Sequence, residues 1–129
     1  MAFRLTLKPH ERAVIGGAVI RNGNNRTVLL VENEVPLLRE GDILSPREVV
    51  TPADRVVLAI QLIYLEPEQR ETMLATYQQL IGDLRAAAPS LGADLELVDE
   101  HVRAGRYYQA LRAARQLRQD ERRLLGHVR

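Results

Sequence analysis

The segment Ser45-Pro46-Arg47-Glu48-Val49-Val50-Thr51-Pro52-Ala53-Asp54 separates two parts of the chain that have different hydrophobic periods. It contains one signal twice: Ser45 and Thr51 are capping residues, each followed by proline and, two residues later, by an acid. This combination is typical of helix N-termini. Before the segment, apolar and polar residues alternate in short runs, whereas after it they follow a helical period. Strands followed by helices predict an α+β protein.

Downstream of this segment, residues 47–129 predict a helical region. Apolar residues recur there at three- and four-residue spacing, so each helix is expected to bury one face. Proline and glycine divide the region into four helices. These predicted helices begin at Thr51, Pro67, Pro89-Ser90 and Gly105, and the last ends near Leu125.

Upstream, residues 1–46 predict five short strands joined as one antiparallel meander. Gly16-Gly17 suits the positive φ angles of a two-residue hairpin. Pro36 has no N–H for a ladder, so the fifth strand is placed at an edge or a bulge. Five short strands with an exposed edge are not expected to persist alone, which predicts a homodimer. The predicted strands span residues 3–8, 12–15, 18–21, 26–31 and 35–39.

The sequence lacks the residues on which several classes of function depend. It has no cysteine, which excludes disulfides, thiolate metal sites and cysteine nucleophiles. His10, His101 and His127 are far apart and show no metal-binding helical spacing. Gly16-Gly17 lacks the downstream glycine and lysine of a phosphate loop. We therefore expect a protein that is not an enzyme and that holds no metal and no cofactor.

The apolar runs of the chain are short. None approaches the ~18 residues that a membrane span requires, and the start, Met1-Ala2-Phe3-Arg4, lacks the apolar core of a secretion signal. The sequence therefore predicts a cytoplasmic protein that does not enter a membrane.

Charge is unevenly distributed, although the net charge is only +1. Residues 1–46 carry +1, residues 47–102 carry −6 and residues 103–129 carry +6. A chain polarised in this way can pair its own segments, dimerise or present its basic end to a polyanion.

Two groups of residues are candidates for binding a polyanion such as RNA. The first lies on the predicted strands and their turns, where guanidinium groups on a rigid sheet can form paired hydrogen bonds to phosphate. The second is a basic arc of about 140° on the last helix, which also includes an aromatic ring suited to stacking on a base. The alternative for this arc is a solvated face that pairs with the acidic middle segment. The first group is Arg4, Lys8, Arg12, Arg21, Arg26 and Arg39, and the second is Tyr108, Arg112, Arg115, Arg118, Arg122 and Arg123.

Three stretches together resemble the FlbT family of flagellum-biosynthesis regulators. They are Leu7-Lys8-Pro9-His10-Glu11-Arg12 through Ala18-Val19-Ile20; Pro36-Leu37-Leu38-Arg39-Glu40 with Asp42-Ile43-Leu44; and Thr51-Pro52-Ala53 through Leu58-Ala59-Ile60-Gln61-Leu62 to Tyr64. The resemblance implies a post-transcriptional regulator that associates with the 5′ untranslated region of flagellin mRNA. Repression of translation or promotion of mRNA decay is the implied outcome, and since some members are activators, the sign stays open.

The strand region is also similar to the small RNA-binding protein CsrA. The similarity rests on Leu5-Thr6, Glu11, Ile15-Gly16 and Arg39-Glu40, whereas Leu7 stands where CsrA has a basic residue. It implies that residues 1–46 form a CsrA-like module that dimerises by strand exchange, with Lys8 and Arg39 in contact with RNA. Of the remaining strand-module cations, Arg4, Arg12 and Arg26 are further RNA-binding candidates.

A second hypothesis comes from a different class of protein. The helices of residues 47–129 would act as an adaptor that binds flagellin or another flagellar regulatory protein, with indirect effects on RNA. A continuous basic surface favours RNA, whereas an apolar groove among the helices favours a peptide partner.

Overall fold

The computed structural model describes residues 3–126, and the chain divides into two compact units, residues 1–43 and residues 44–129. Antiparallel strands form the first unit and α-helices dominate the second, which confirms the α+β class. The helical unit begins at Leu44, two residues before the end of the predicted strand module. The Leu44 amide donates to Gln61 Oε1 at 2.8 Å, and Gln61 Nε2 donates to the Leu44 carbonyl at 3.0 Å. These two bonds tie Leu44 to the helices.

The strands of the first unit form two sheets, and the predicted single meander is wrong. One sheet pairs the first and fourth strands, and the other has the order third, second, fifth. Asn22 accounts for the difference: its Nδ2 donates to the carbonyls of Leu7 and Lys8, at 3.3 and 2.9 Å. The turn after the third strand is thus attached to the end of the first, so the fourth strand starts beside the first. The strands are β1 (Phe3–Leu7), β2 (Arg12–Ile15), β3 (Ala18–Arg21), β4 (Thr27–Val31) and β5 (Leu37–Arg39).

The β2–β3 hairpin has the predicted two-residue turn. Gly16 and Gly17 have φ angles of 57° and 88°, and Ile15 pairs with Ala18 on either side of them. Strand β5 lies at the edge of its sheet, as Pro36 predicts. The Pro36 carbonyl accepts a hydrogen bond from the Gly16 amide at 2.9 Å.

The two sheets share one small apolar core. Leu5 and Leu7 from β1 are buried together with Ala13 from β2. Because residues alternate between the faces of a strand, Arg12 lies on the other face of the second sheet, where it is exposed. Leu38 of β5 is buried on that same face, so the face is open to solvent only on the β2–β3 hairpin, and we call this part the open face. The partly buried residues packed against the core are Ile15, Leu29 and Leu37.

Helices α1 and α4 make most of the helix contacts in the second unit. Helix α1 contacts α2 and α4, and α3 packs on α4. Short 3-10 turns that start at proline precede α2 and α3, where the sequence predicts a break. No helix within residues 3–126 is long and apolar enough to cross a membrane. The bounds are α1 (Pro52–Leu65), α2 (Arg70–Ala87), α3 (Gly92–Arg103) and α4 (Tyr107–Gly126).

A buried hydrogen bond joins α2 to α3. The Tyr77 hydroxyl donates to Asp99 Oδ1 at 2.9 Å, and Arg103 contacts Asp99 Oδ2 at 2.7 Å. Burial first, and then the bond to Asp99, raise the pKa of the Tyr77 hydroxyl far above its ordinary value. Asp99 is thereby matched to a donor on one side and a cation on the other, as a buried carboxylate requires.

We expect opposite effects from the same substitution at two glycines. Gly17 has φ +88°, so Gly17→Ala places a Cβ in the left-handed region and destabilises the strand unit by about 1 kcal/mol. Gly82 lies inside α2, and a Cβ added there would meet no atom within 4 Å, so Gly82→Ala stabilises by about 0.5–1 kcal/mol. Hydrogen exchange of backbone amides in each unit measures both changes. Equal effects of the two substitutions would contradict the hairpin geometry.

Candidate nucleic-acid interface

Glu11 is the central residue of the candidate site on the strand unit. Its carboxylate accepts two hydrogen bonds from Arg39, from Nη2 to Oε1 at 3.0 Å and from Nε to Oε2 at 3.3 Å. Oε1 also accepts from the Lys8 backbone amide at 2.9 Å. The Arg39 guanidinium, followed by the Lys8 amide, holds the pKa of Glu11 below its ordinary value. Glu11 therefore stays ionised and fastens the turn after β1 to β5.

This geometry separates the roles of Lys8 and Arg39. The Lys8 side chain is exposed, and only its backbone is held by Glu11. Arg39 is half-buried and already has a bidentate partner. The pairing with Glu11 also raises the pKa of Arg39. A direct contact between Arg39 and RNA stays a prediction. Such a contact would require the Arg39 guanidinium to bind RNA and Glu11 at the same time.

The backbone beside the site is fixed by a dense set of hydrogen bonds. The Asn22 amide donates to the Glu11 carbonyl at 2.8 Å, and the His10 amide donates to the Gly23 carbonyl at 2.9 Å. Asn22 Nδ2 also donates to the Asn25 carbonyl at 2.8 Å. His10 adopts a φ of 64°, the only non-glycine positive φ among residues 3–126. Hydrogen bonds at this turn therefore tie the start of β2 to the end of β3.

Arg12 and Arg21 lie directly opposite each other on the open face of the β3-β2-β5 sheet. They are cross-strand partners, and Ala13, the neighbour of Arg12, points into the core. Arg12 Nε is 3.9 Å from Glu40 Oε1, and both side chains are more than half exposed, 53% and 55%. Arg21 is one of the strand cations evident in the sequence, but only the pairing register brings it beside Arg12.

The other two strand-module candidates lie on the β1–β4 side of the unit. Arg4 is exposed on β1, opposite Leu30 of β4. Arg26 is exposed immediately before β4. The structure thus places Lys8 and Arg39 beside Glu11 and Arg12 on the other face of the same sheet, whereas Arg4 and Arg26 lie on or next to the sheet formed by β1 and β4.

On the helical unit, Arg118 lies in the interface between α1 and α4. Its Nε is 2.5 Å from Asp54 Oδ1, and the two side chains are 22% and 3% exposed. Asp54 Oδ2 also accepts from the amides of Val50 and Thr51, at 2.9 and 3.1 Å. Burial acts to raise the pKa of Asp54, but the Val50 and Thr51 amides and Arg118 together lower it. Arg118 therefore neutralises a buried carboxylate and is not part of a solvated basic face.

The same interface contains a second buried acid. Glu121 is 4% exposed, and its Oε2 accepts from the Ala53 amide at 2.9 Å. Its Oε1 has no hydrogen-bond partner within residues 3–126. Glu121 thus supplies an acceptor for one of the free amides at the start of α1, as a capping residue does. Helical periodicity predicts a basic surface on this stretch of α4 and gives no sign that Asp54 and Glu121 are buried beside it.

The remaining residues of the predicted helical arc have mixed environments. Arg112 and Arg122 are exposed, and Arg115 is half-buried and interacts with a neighbour. Arg123 contacts Asp120 at 3.2 Å. The continuous arc that helical periodicity predicts is therefore reduced to separate exposed arginines.

Three of the four tyrosines in the chain lie near one another on the helical unit. Tyr108 is 40% exposed, and its ring centroid is 5.7 Å from that of Tyr64, with the planes inclined at 48°. The Arg70 guanidinium lies over the Tyr107 ring at 4.8 Å. We call Tyr64, Tyr107, Tyr108 and Arg70 the tyrosine patch. The ring of Tyr108, which is predicted to stack on a base, already packs against the ring of Tyr64.

Acidic and histidine side chains form no metal-binding group in the part of the chain that the structure describes. No group of three such residues there could hold a metal ion, and His127 lies outside the described residues. Asp94 and Asp120 share a hydrogen bond between α3 and α4. Burial, and then Asp120, raise the pKa of Asp94 to about 6. This pair connects α3 to α4.

The fold and the site define an α+β protein with a rigid, arginine-bearing strand unit and a helical unit. A family model described as flagellar protein FlbT matches residues 3–125. The chain belongs to the FlbT family.

Relatives named as flagellar repressors match almost the whole chain. A probable flagellum biosynthesis repressor protein FlbT 1 from Bradyrhizobium diazoefficiens is 42% identical over 98% of this chain and 86% of its own length. A probable flagellum biosynthesis repressor protein FlbT from Rhodopseudomonas palustris is 39% identical over 98% and 99%. The flagellum biosynthesis repressor protein FlbT from Caulobacter vibrioides is 35% identical over 99% and 92%. No solved structure matches the chain.

We expect two arginines of α4 to differ sharply in their contribution to stability. Arg118→Met leaves the buried Asp54 carboxylate without its cation, which costs about 3 kcal/mol. Arg122→Met, the matched control, removes an exposed cation and changes stability by less than about 0.5 kcal/mol. Urea unfolding followed by circular dichroism measures both.

The loss of folding stability in Arg118→Met should also depend on pH. A lowered pKa of Asp54 stabilises the fold above the unfolded-state pKa, and this contribution disappears as pH falls through the folded-state pKa. The difference between wild type and Arg118→Met is therefore largest near neutral pH and shrinks in acid. A difference that is absent at pH 7, or that grows in acid, would contradict the assignment of Arg118 to the buried pair.

Proposed function

We propose that this protein is a post-transcriptional regulator of flagellin expression that binds the 5′ untranslated region of flagellin mRNA. Binding represses translation or promotes decay of the message, and it takes place in the cytoplasm. The names of the FlbT relatives support a repressive role in flagellum biosynthesis. The RNA target comes from the family resemblance, and the strand unit supplies chemistry that suits it.

The observation that carries the proposal is the exposure of cations on a fixed scaffold. Arg4, Lys8, Arg12 and Arg26 all have exposed side chains, while Glu11 is occupied by Arg39 and by a backbone amide. Glu11 therefore does not neutralise these cations, and the exposed ion pair of Arg12 with Glu40 at 3.9 Å is weak. Exposed arginine and lysine on rigid strands neutralise RNA phosphates without the cost of ordering a loop.

Within this proposal, Arg39 acts mainly as a positioning residue. Its bidentate pair with Glu11 fixes the turn that carries Lys8, since the same carboxylate binds the Lys8 amide. Loss of Arg39 would release this turn and leave Glu11 as an unpaired anion. Arg39→Ala therefore weakens RNA binding indirectly, and it is a poor probe of direct contact.

A second candidate function is supported by the tyrosine patch. Tyrosine and arginine are enriched in the centres of protein interfaces, and Tyr108 presents part of its ring to solvent. In this alternative the helical unit is an adaptor that binds flagellin or another flagellar regulatory protein. Its effects on RNA are then indirect.

We expect RNA binding to depend on the strand cations and not on α4. Lys8→Gln and Arg26→Gln each remove one cation, so each should flatten the slope of log K against log salt by about 0.7 for single-stranded RNA. Arg122→Gln, an exposed arginine of α4, serves as the matched control and should leave the slope unchanged. Fluorescence anisotropy at several salt concentrations, with flagellin leader RNA and a scrambled RNA, measures the slopes.

Two results would contradict either the placement of the RNA site on the strand unit or the RNA-binding function itself. If Arg122→Gln alone flattens the slope, the helical arc is the RNA platform and the strand unit is not. If the wild type binds scrambled RNA as tightly as leader RNA and no substitution matters, the adaptor function replaces the RNA-binding one. Circular dichroism of each variant controls for folding.

We further propose that the protein is a homodimer formed through the strand unit. A sheet of only two strands, such as β1–β4, is marginal alone, and open strand edges favour pairing with another chain. Its outer face exposes Val28 and Leu30, and Leu30 is 66% exposed. A second copy would cover this apolar surface together with Arg4, which lies opposite Leu30 on the same face, and would leave Lys8, Arg12 and Arg26 exposed to RNA.

The oligomeric state tests the dimer directly. Light scattering at high micromolar concentration should give twice the chain mass for the wild type and a lower mass for Leu30→Ser. Val50→Ser, which changes an exposed valine of the other unit, is the control and should leave the mass unchanged. A wild-type monomer at that concentration would overturn this proposal.

A further inference from the structure

We propose that Arg12 and Arg21 together form a clamp for one phosphate on the open face of the strand unit. The ligand is a phosphodiester of RNA, so the inference rests on the proposed function for its source. The clamp itself is defined by the register of the β2–β3 hairpin, which pairs Arg12 with Arg21.

The hairpin geometry brings the two arginines close together. The two-residue turn at Gly16-Gly17 makes Ile15 and Ala18 the first pair, and antiparallel pairs then alternate between hydrogen-bonded and non-hydrogen-bonded positions. Arg12 and Arg21 are the fourth pair, which falls on a non-hydrogen-bonded position. At such positions the Cα atoms are only about 4.5 Å apart and the side chains are closest. The two side chains therefore start from neighbouring backbone positions on the same face of the sheet.

Two like charges directly opposite each other on a sheet repel. The nearby acid Glu11 cannot offset this, because it lies on the opposite face of β2 from Arg12 and already binds Arg39 and the Lys8 amide. Glu40 is the carboxylate beside the pair, 3.9 Å from Arg12. An exposed ion pair at that distance contributes little. Among the described residues, this weak ion pair of Arg12 with Glu40 thus leaves room for an external anion.

The backbone under the clamp is already ordered. Residues adjacent to the two arginines are joined by the bond from the Asn22 amide to the Glu11 carbonyl at 2.8 Å. Asn22 is held in turn by its own side chain, which binds the carbonyls of Lys8 and Asn25. A ligand therefore has to order only the two arginine side chains, which lowers the entropic cost of binding.

A phosphodiester matches the chemistry of this site. Each guanidinium presents a planar fork of donors that fits two phosphate oxygens. The next pair along the same face is Val14 and Val19, and Val19 is 74% exposed. This apolar surface beside the cations suits the sugar or base attached to an RNA phosphate, and free phosphate makes no use of it.

A double-mutant cycle on RNA binding tests the clamp. The variants are Arg12→Gln, Arg21→Gln and both together, and Arg26→Gln is the control from the other sheet. If both arginines hold one phosphate, either single substitution should lose most of the RNA affinity that the pair contributes. The double variant should then bind RNA about as tightly as the weaker-binding single variant. The salt slope of the double variant should fall by about 0.7, the value for one phosphate on single-stranded RNA. Arg26→Gln should combine additively with either arginine change.

A second measurement does not need RNA. Thermal unfolding is compared in sodium phosphate and in sodium chloride of equal ionic strength. We expect phosphate to raise the melting temperature of the wild type above its value in chloride, and this difference should be smaller in Arg21→Gln, where only the general stabilising effect of phosphate remains. At low ionic strength, Arg21→Gln should be at least as stable as the wild type, because the substitution removes the like-charge contact.

The outcomes distinguish the clamp from the proposed function. If leader RNA binds to the wild type and all three variants with the same affinity and salt slope, the clamp is overturned while the RNA-binding function stands. Additive losses with a slope change near twice the one-phosphate value indicate two independent contacts and also overturn the clamp. If no RNA binds but the phosphate effect on melting depends on Arg21, the clamp stands as a site for free phosphate and the RNA-binding function fails.

Discussion

The carboxylate of Glu11 is the constraint on which the candidate site depends. It binds the guanidinium of Arg39 and the backbone amide of Lys8 at the same time, and so connects the turn after β1 to the edge strand β5. Glu11 and Arg39 satisfy each other on one face of the sheet, whereas on the opposite face Arg12 forms a weak ion pair with Glu40 and lies directly across from Arg21. The Glu11–Arg39 ion pair therefore gives Arg39 a structural role, whereas Arg12 and Arg21 remain available to a ligand.

The helical unit also contains an ion pair between an acid and an arginine, and this pair holds two helices together. Asp54 caps the start of α1, and its burial requires a cation, which Arg118 supplies from α4. Burying a carboxylate without such a partner would cost several kcal/mol. The arginines of α4 therefore fall into two classes, one that holds helices together and one, such as Arg122, that faces solvent. Counting arginines on a helix face overstates the surface that RNA can reach.

Much of the local structure can be predicted from sequence. Capping at Thr51 and the Gly16-Gly17 turn are short-range signals, and both are confirmed. The sheet order cannot be predicted, because it depends on side-chain bonds from Asn22 to residues fourteen and fifteen positions away. Helical periodicity likewise misplaces Arg118 on the surface. Its partner Asp54 is sixty-four residues away in the sequence, so a local pattern cannot reveal the pair. The pairing of Arg12 with Arg21 follows from the two-residue turn, and only the sheet shows that this pair lies on the open face.

The central claim, that RNA is bound by the strand unit, is tested most directly by photo-crosslinking. Flagellin leader RNA that contains 4-thiouridine is irradiated with the full-length protein, and mass spectrometry locates the crosslinked peptides. We predict crosslinks within residues 3–43, concentrated in β2, β3 and the turns at Lys8 and Asn22, and competed by unlabelled leader RNA. Crosslinks confined to α4, or to the tyrosine patch, would contradict this claim.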